Sequence, residues 1–526
     1  MTVFVISKGN YTKLLNLSVQ NPSALLKEEK MKRAKLFLKP LALIIALLMC
    51  LSCFAFVGCG GGGSQRNDDW SGGDEPPVPQ QPVTIRVMHY WPELAEAFDE
   101  IANDFTKKNP YIKIEYSTSD YANMMSALNA AWMGGTMPDV FSYWSHQMRE
   151  ILIEGEEFMA ADLSEQFIND EEFMSVFKNE KAWQLGKIGD GYYNIPFRAT
   201  GFVIYYNKTV FKEYGWEQPE TLEEFEQLLA NVLAADLGVT PLNVYGTNGT
   251  FMFMWKALFA YYDVLSGMNT DPNYLTGRLT QDQTDWDAYA ATMEKLRLWN
   301  QKGVFGGAAL AGGEDASEKS FIDGECLMAM LNNNLLNEIT EQADFEVGVM
   351  TLPAPEIFNT IDGYKSTYGY SYGGYDGWCI SSSSTKKAAA KKYVEYLLSD
   401  SAQQIFSDST LSIMANKNVT YENPIQKEMV ETMTFTALYD FVPDYNSTSS
   451  LNAVGDKISY YSSGSNSHGA AADIVKERYD QLGKALKNLM YNNPAKSVIQ
   501  STYTRNTANI DAYKAWCLAG MPQAEA

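Results

Sequence analysis

From Val83 to Trp91 the chain alternates apolar and polar positions, with Val83, Ile85 and Val87 on one side, as a strand does. Pro92 then opens a helix in which Leu94, Phe98, Ile101 and Phe105 recur at helical spacing, and Asn109-Pro110 stops it. A second strand is predicted over 111–116, a second helix from Tyr121 to Trp132 ended by Gly134-Gly135, and a third strand over 138–144. The alternation of strand and helix implies a mostly parallel sheet covered by helices, so the fold class is α/β. The pattern resumes with a strand over 202–207. A helix over 221–233 follows, opened by the capping box of Thr221 and Glu224, with Leu222, Phe225, Leu228, Leu229 and Val232 on one side. Further strands are expected over 326–331 and 345–352. A helix over 384–398 is expected to be capped by Ser384 or Thr385.

The front end follows a different rule. An uncharged run from Leu41 to Cys59 sits behind Lys32, Arg33, Lys35 and Lys39, which reads as a secretory signal, with an uncleaved transmembrane anchor as the alternative. Met31 begins a complete signal on its own and is the expected start of translation, within a signal region of residues 1–58. The stretch "FVGC", with Phe56 where leucine is usual, resembles the lipobox of bacterial lipoprotein signals. That resemblance implies lipidation of Cys59. Residues 59–82 then form a flexible linker of glycine, proline and polar residues, which would hold a folded body near a membrane without embedding it.

Charge and chemistry narrow the possibilities. Of 526 residues, 46% are hydrophobic and 20% charged, which is globular composition. Net charge is −23; the first 58 residues contribute +6, so the remainder carries −29 and repels nucleic acid. Cys326, Cys379 and Cys517 are far apart and odd in number, which is no disulfide framework, and Cys326 and Cys379 read as buried small hydrophobes. No phosphate-binding GxxxxGK[ST] loop, HExxH or GxSxG occurs, and the three histidines are scattered. No cofactor, metal site or catalytic residue is expected, and Asp139 reads as a turn acceptor.

The phrase "YYNIPFRATGFVIYYNKTVFKEYGWEQPETLEEFEQLL" (192–229) resembles the signature of family 1 extracellular solute-binding proteins. Its marks are Tyr206-Asn207-Lys208, Phe211, Gly215, Pro219 and Thr221. The phrases "FTKKNPYIKIEY", "MGGTMPDVF", "FIDGECLMAML", "GVMTLPAP" and "GYDGWCISSSSTKKAAAKKYVEYLLSDSAQQIF" follow in the family's order, so the resemblance covers most of residues 83–410. It implies a type II periplasmic-binding-protein fold of two lobes, each a mostly parallel sheet flanked by helices and joined by hinge crossovers. The first lobe would hold 83–197 plus 368–410, the second 198–367 plus 411–526. The implied function is capture of a mono- or oligosaccharide between the lobes and delivery to the permease subunits of an ABC importer. The protein would be a monomer on the outer side of the bacterial plasma membrane or in the periplasm.

Candidate binding residues come from strand ends and the crossovers. Tyr90 and Trp91 end the first strand and Trp144 the third; ligands in such sheets sit beyond the carboxyl ends of strands. Tyr121 opens a helix, Arg198 lies at the first crossover with a forked set of donors, and Trp255 would stack from the second lobe. Asn333 offers an amide either to ligand hydroxyls or to its own turn. In "TYGYSYGGYDGW" (367–378), Tyr368, Tyr370 and Tyr372 share a side if extended, Gly373-Gly374 permit a bend, and Tyr372, Tyr375, Asp376 and Trp378 would border the cleft. Aromatic rings cover the flat C–H faces of sugars, and carboxylates or guanidinium groups bind their hydroxyls. Alternatives are a surface enzyme acting on polysaccharide, a sensory or adhesive module, and a binding protein for a non-sugar solute.

Overall fold

The computed structural model describes residues 82–525 except 121–122, 146–147, 149–157, 178–185, 189–190, 246–249, 251–253, 255–256, 259–260, 262–264, 266–285, 306–312, 362–364, 369–372 and 434–506. Of the sequence expectations, those on the signal region, Cys59, Tyr121, Trp255, Tyr370 and Tyr372 lie outside the described residues.

The chain begins with β1 (Val83–His89), α1 (Ala95–Lys108), β2 (Ile112–Thr118), α2 (Met124–Met133) and β3 (Val140–Trp144). The alternation read from the sequence is realised: β1 pairs parallel with β2 and with β3. Helix α1 buries Phe98, Ile101 and Phe105 against this sheet, as its spacing requires. Asp139, just before β3, accepts from the Arg86 amide at 2.9 Å, the Ser384 hydroxyl at 2.7 Å and the Lys386 ammonium at 3.1 Å, which makes it a turn acceptor as expected. A short helix α3 (Glu171–Met174) and the hairpin β4 (Lys187–Ile188) and β5 (Gly191–Tyr192) lead into the central strand.

That strand, β6 (Ile195–Asn207), runs 13 residues and is buried almost throughout. It is followed by α4 (Lys208–Tyr214), α5 (Leu222–Ala235), β7 (Thr240–Asn243), α6 (Trp286–Gln301), α7 (Glu314–Ile322), β8 (Cys326–Asn332), α8 (Leu336–Gln342) and β9 (Val347–Met350). The order ends with β10 (Gly373–Ile380), α9 (Lys387–Leu397), α10 (Asp400–Thr410), α11 (Pro424–Thr432) and α12 (Thr507–Leu518). Residues 195–201 of β6 pair antiparallel with β10, which in turn pairs with β3. Residues 202–207 pair antiparallel with β8 and β9, and β8 pairs parallel with β7. One strand therefore belongs to both sheets. Around it lie two apolar cores, one built on Phe98, Phe105, Tyr143 and Trp378, the other on Tyr206, Phe225, Trp299 and Tyr513.

Local chemistry explains several boundaries. Thr221 caps α5 through the Glu224 amide at 3.1 Å, but the reciprocal bond runs from the Glu220 amide to Glu224 at 2.8 Å. Helix α9 starts at Lys387, later than the pattern suggested, and neither Ser384 nor Thr385 caps it. The Ser384 hydroxyl is already committed, donating to Asp139 and accepting from the Lys386 amide. Ser366–Tyr368 form a 3₁₀ turn in place of an extended run, and Gly373-Gly374 are not a bend but the first ladder pairs of β10, opposite Gly201 and Thr200.

The crossing region also differs from the boundary expected at residue 411. Residues 411–421 stay with the first lobe: the Ala199 amide donates to Ile413, the Ala415 amide to Phe197, and the Asn416 side chain to Leu398 and Asp400. Helix α11 then ties the lobes together. Its Gln426 donates to Ser407 and to the Ser412 carbonyl at 3.1 Å each, while its Glu428 receives Lys208 at 3.1 Å and Gln218 at 2.9 Å.

Candidate functional site

The ends of β1 and β3 meet β10 and β6 where β6 passes between the sheets. Asp376 faces Trp144 across the β10–β3 ladder and Arg198 across the β10–β6 ladder. The Tyr90 hydroxyl donates to Asp376 Oδ1 at 2.6 Å, and Arg198 Nε donates to Asp376 Oδ2 at 2.8 Å. Arg198 Nη1 reaches the Ser412 hydroxyl at 3.3 Å, and the guanidinium lies 4.7 Å from the centre of the Trp91 ring. Tyr90 packs on Trp91 at 4.4 Å and on Trp144 at 4.2 Å. Seven of the residues singled out in the sequence thus come together: Tyr90, Trp91, Trp144, Arg198, Tyr375, Asp376 and Trp378.

Their roles differ from those expected. Asp376 is 1% exposed with both carboxylate oxygens engaged, and Arg198 is 4% exposed with its donors directed at Asp376 and Ser412. They bind each other, with Tyr90 and Ser412 as further partners, and lie among the rings. Burial pushes the Asp376 carboxyl up, opposed by the Arg198 charge and the Tyr90 and Arg198 hydrogen bonds. Trp378 is a core residue: it is fully buried and meets Trp91, Phe98 and Phe197 edge-on at 5.7, 5.8 and 5.7 Å. Tyr375 is buried as well, its amide donating to the Ser145 hydroxyl at 3.0 Å. At Gly377 the packing leaves no room for a side chain. A Cβ there would stand 2.0 Å from Asn194 Oδ1 and 2.6 Å from the Ile195 carbonyl. Beneath the cluster His89 is held neutral, its pKa lowered to about 4 by burial and by the Arg198 charge.

On the second-lobe side Asn333 resolves the choice its sequence left open. It is 1% exposed; its amide oxygen accepts from the Gly201 amide at 2.7 Å and its amide nitrogen donates to the Ala199 carbonyl at 3.2 Å. It staples β6 at the crossing and does not face a solute. Asn332 and Asn334 both donate toward the Thr200 hydroxyl, at 3.5 and 3.4 Å.

Beside this turn lies a group that the sequence reading passed over. Helix α7 carries Glu314, Ser317 and Glu318, one helical turn of acceptors. Glu314 meets the Tyr245 side chain and the backbone at Asn332, and burial raises its pKa. Glu318 is raised to about 7, first by burial and then by Glu338, Glu314 and Asp315. The i, i+3, i+4 spacing was the available signal, masked because glutamate and serine in a helix ordinarily mark the solvent face. Among the described residues no group of three His, Cys, Asp or Glu side chains is placed to hold a metal ion, and no helix is long and apolar enough to cross a membrane.

Two sheets sharing a strand, with aromatic strand ends gathered at the joint, define the two-lobed architecture of solute-binding proteins of type II. The chain belongs to the bacterial extracellular solute-binding protein family, whose model matches residues 91–404. It is similar to a multiple sugar-binding protein of Streptococcus mutans, 26% identical over 67% of this chain and 80% of the relative. An ABC substrate-binding protein from Listeria monocytogenes, solved with cycloalternan, shares the fold at a TM-score of 0.60 and 20% identity, over 77% of this chain and 100% of that one. RafE from Streptococcus pneumoniae, solved without ligand, matches at a TM-score of 0.58 and 23% identity, over 77% of this chain and 99% of that one.

Proposed function

We propose that this protein captures a neutral mono- or oligosaccharide between its two lobes and delivers it to the permease subunits of an ABC importer. The observation that carries the reading is the joint itself. A single strand passes through both sheets, and Tyr90, Trp91 and Trp144 are gathered there around the buried Asp376–Arg198 pair. Such a joint lets two bodies rotate about a narrow seam, and the rings packed there, all buried, brace it. Relatives described as sugar-binding support the same reading. The protein acts by binding, without catalysis.

We infer further that the protein acts outside the cytoplasm as a monomer held to the membrane by a lipid on Cys59; the apolar run and the glycine- and proline-rich stretch after it support the anchoring. Replacement of Cys59 by Ser then releases the mature protein into the soluble fraction. The binding reading is tested by thermal shift of the protein with raffinose, maltotriose and cycloalternan, and with sn-glycerol 3-phosphate as the non-sugar comparison. A ligand at 100 times its Kd stabilises by about 2.7 kcal/mol, which moves the midpoint by several degrees and grows with concentration. A shift with the phosphate ester alone refutes the sugar reading, and steady release of reducing ends from polysaccharide refutes the absence of catalysis.

A further inference from the structure

The turn of acceptors on α7 has a property that ordinary packing does not account for. Glu314 Oε1, Ser317 Oγ and Glu318 Oε1 are all buried and none has a hydrogen-bond partner in the protein. Ser317 is 3% exposed and Glu318 9% exposed. A mid-helix serine that is buried ordinarily returns its hydroxyl to a carbonyl one turn back; Ser317 does not. Asn334 Oδ1, on the turn that Glu314 reaches through Asn332, is a fourth acceptor in the same condition. Native proteins satisfy buried polar groups, and a local set of exceptions marks a place where something other than the fold supplies donors.

Position and chemistry identify the donor. The set adjoins the crossing of β6, since Glu314 contacts Asn332, and Asn332 and Asn334 contact Thr200. The groups facing Glu318 are Glu314 and Asp315 of its own helix, Glu338 of α8 and Tyr205 of β6; Tyr245, after β7, faces Glu314. The neighbouring Lys319 is turned outward, paired with Asp323 at 2.6 Å. Acceptors that outnumber donors suit a ligand rich in hydroxyl groups.

We propose that Glu314, Ser317 and Glu318, with the Asn334 amide oxygen, are the second lobe's share of the ligand site and accept hydrogen bonds from the hydroxyl groups of a neutral sugar. This rests on the carbohydrate reading above. Ionised Glu318 is the stronger acceptor, so sugar affinity weakens as pH falls below 7.

The test is calorimetric titration of the full chain with raffinose, maltotriose and cycloalternan, each at pH 8 and pH 5.5. For whichever sugar the unaltered protein binds, Glu314→Gln weakens affinity about tenfold or more at pH 8, and Ser317→Ala weakens it several-fold. Glu318→Gln removes most of the loss of affinity between pH 8 and pH 5.5. Neutralising a buried carboxylate among like charges does not unfold the protein, so unliganded melting midpoints stay the same or rise. Affinity of Glu314→Gln within twofold of the unaltered protein, with sugar binding otherwise intact, overturns this proposal alone. Binding of none of the sugars by the unaltered protein overturns the carbohydrate reading and this proposal with it.

Discussion

Replacing Asp376 by Asn tests the joint directly. The substitution keeps the side chain's shape and its bond from Tyr90 but removes the charge that faces Arg198 at 2.8 Å. Arg198 is 4% exposed, so its guanidinium cannot turn to water; what remains is the Ser412 hydroxyl at 3.3 Å and the faces of Trp91 and Phe406 at 4.7 and 5.8 Å. Stranding one member of a buried pair costs about 3–5 kcal/mol, and the retained Tyr90 bond puts this case near about 3 kcal/mol. Against a total stability of about 5–15 kcal/mol that is a large fraction. Urea unfolding followed by tryptophan emission reads it, because Trp91 and Trp144 lie against the cluster. The double variant Arg198→Met with Asp376→Asn recovers much of the loss, since no charge is left stranded. A single variant within about 1 kcal/mol of the parent, or a double variant worse than the single, refutes the claim that the pair is a sealed structural unit.

Other substitutions probe independent features. Gly377→Ala drives a methyl group into the Asn194 amide and the Ile195 carbonyl; the latter is backbone and cannot yield, so denaturant unfolding shows a loss of about 1–3 kcal/mol. Lys295→Met strands Glu226, which receives Lys295 at 2.8 Å and the Trp299 indole at 2.7 Å, and frees Ala519 beyond α12; a loss of about 3 kcal/mol with early proteolysis at the C-terminal end is expected. His89 has a folded pKa of about 4 against 6.5 unfolded, so its contribution is full above 6.5 and is lost as pH falls through 4; His89→Phe flattens that acid limb. Glu318 runs the other way: with a folded pKa of about 7 against 4.5, its contribution is full below 4.5 and is lost as pH rises through 7. Glu318→Gln therefore stabilises the protein at pH 8 by about 1–2 kcal/mol after screening, and hardly at all at pH 4.5.

Most of the element order could be read from the sequence because the first sheet obeys simple periodicities. β1, α1 and β2 match their apolar spacing to within a residue or two, and the Thr221 cap follows from local chemistry. The site was legible as a set of residues but not as a set of roles. Arg198 and Asp376 lie 178 positions apart, so nothing local announces that each is the other's partner. Asn333 looked available for the same reason: its partners, Ala199 and Gly201, are brought to it by the fold. Burial of polar groups is decided by packing between distant segments, and periodicity does not report it. Ser317 and Glu318 are the clearest instance, two polar residues on one helix face that would be assigned to solvent by pattern alone.

The contrast between these two polar groups bears on how a clamp of this kind has to work. A ligand moves the balance between open and closed forms only by the difference in its affinity for them, and reversing a hundredfold bias takes about 5.5 kcal/mol. Groups already satisfied within one lobe contribute nothing to that difference, because their bonds are the same in both forms. The Tyr90–Asp376–Arg198–Ser412 network is of this sort, and it serves by keeping the joint and its rings in register. On the proposal above, the α7 acceptors, which have no protein partner, gain their bonds only from a ligand. Two bonds to carboxylates at about 1.5–3 kcal/mol each and one neutral bond near 1 kcal/mol reach the required figure. Filling the α7 set internally is therefore the sharper probe of the clamp: Ser317→Lys, placing a cation among Glu314 and Glu318, supplies a permanent donor to those acceptors. It leaves the Arg198 network intact while abolishing the sugar-dependent change in small-angle scattering. A variant that still closes on sugar as the parent does would show that the differential affinity resides in the first lobe.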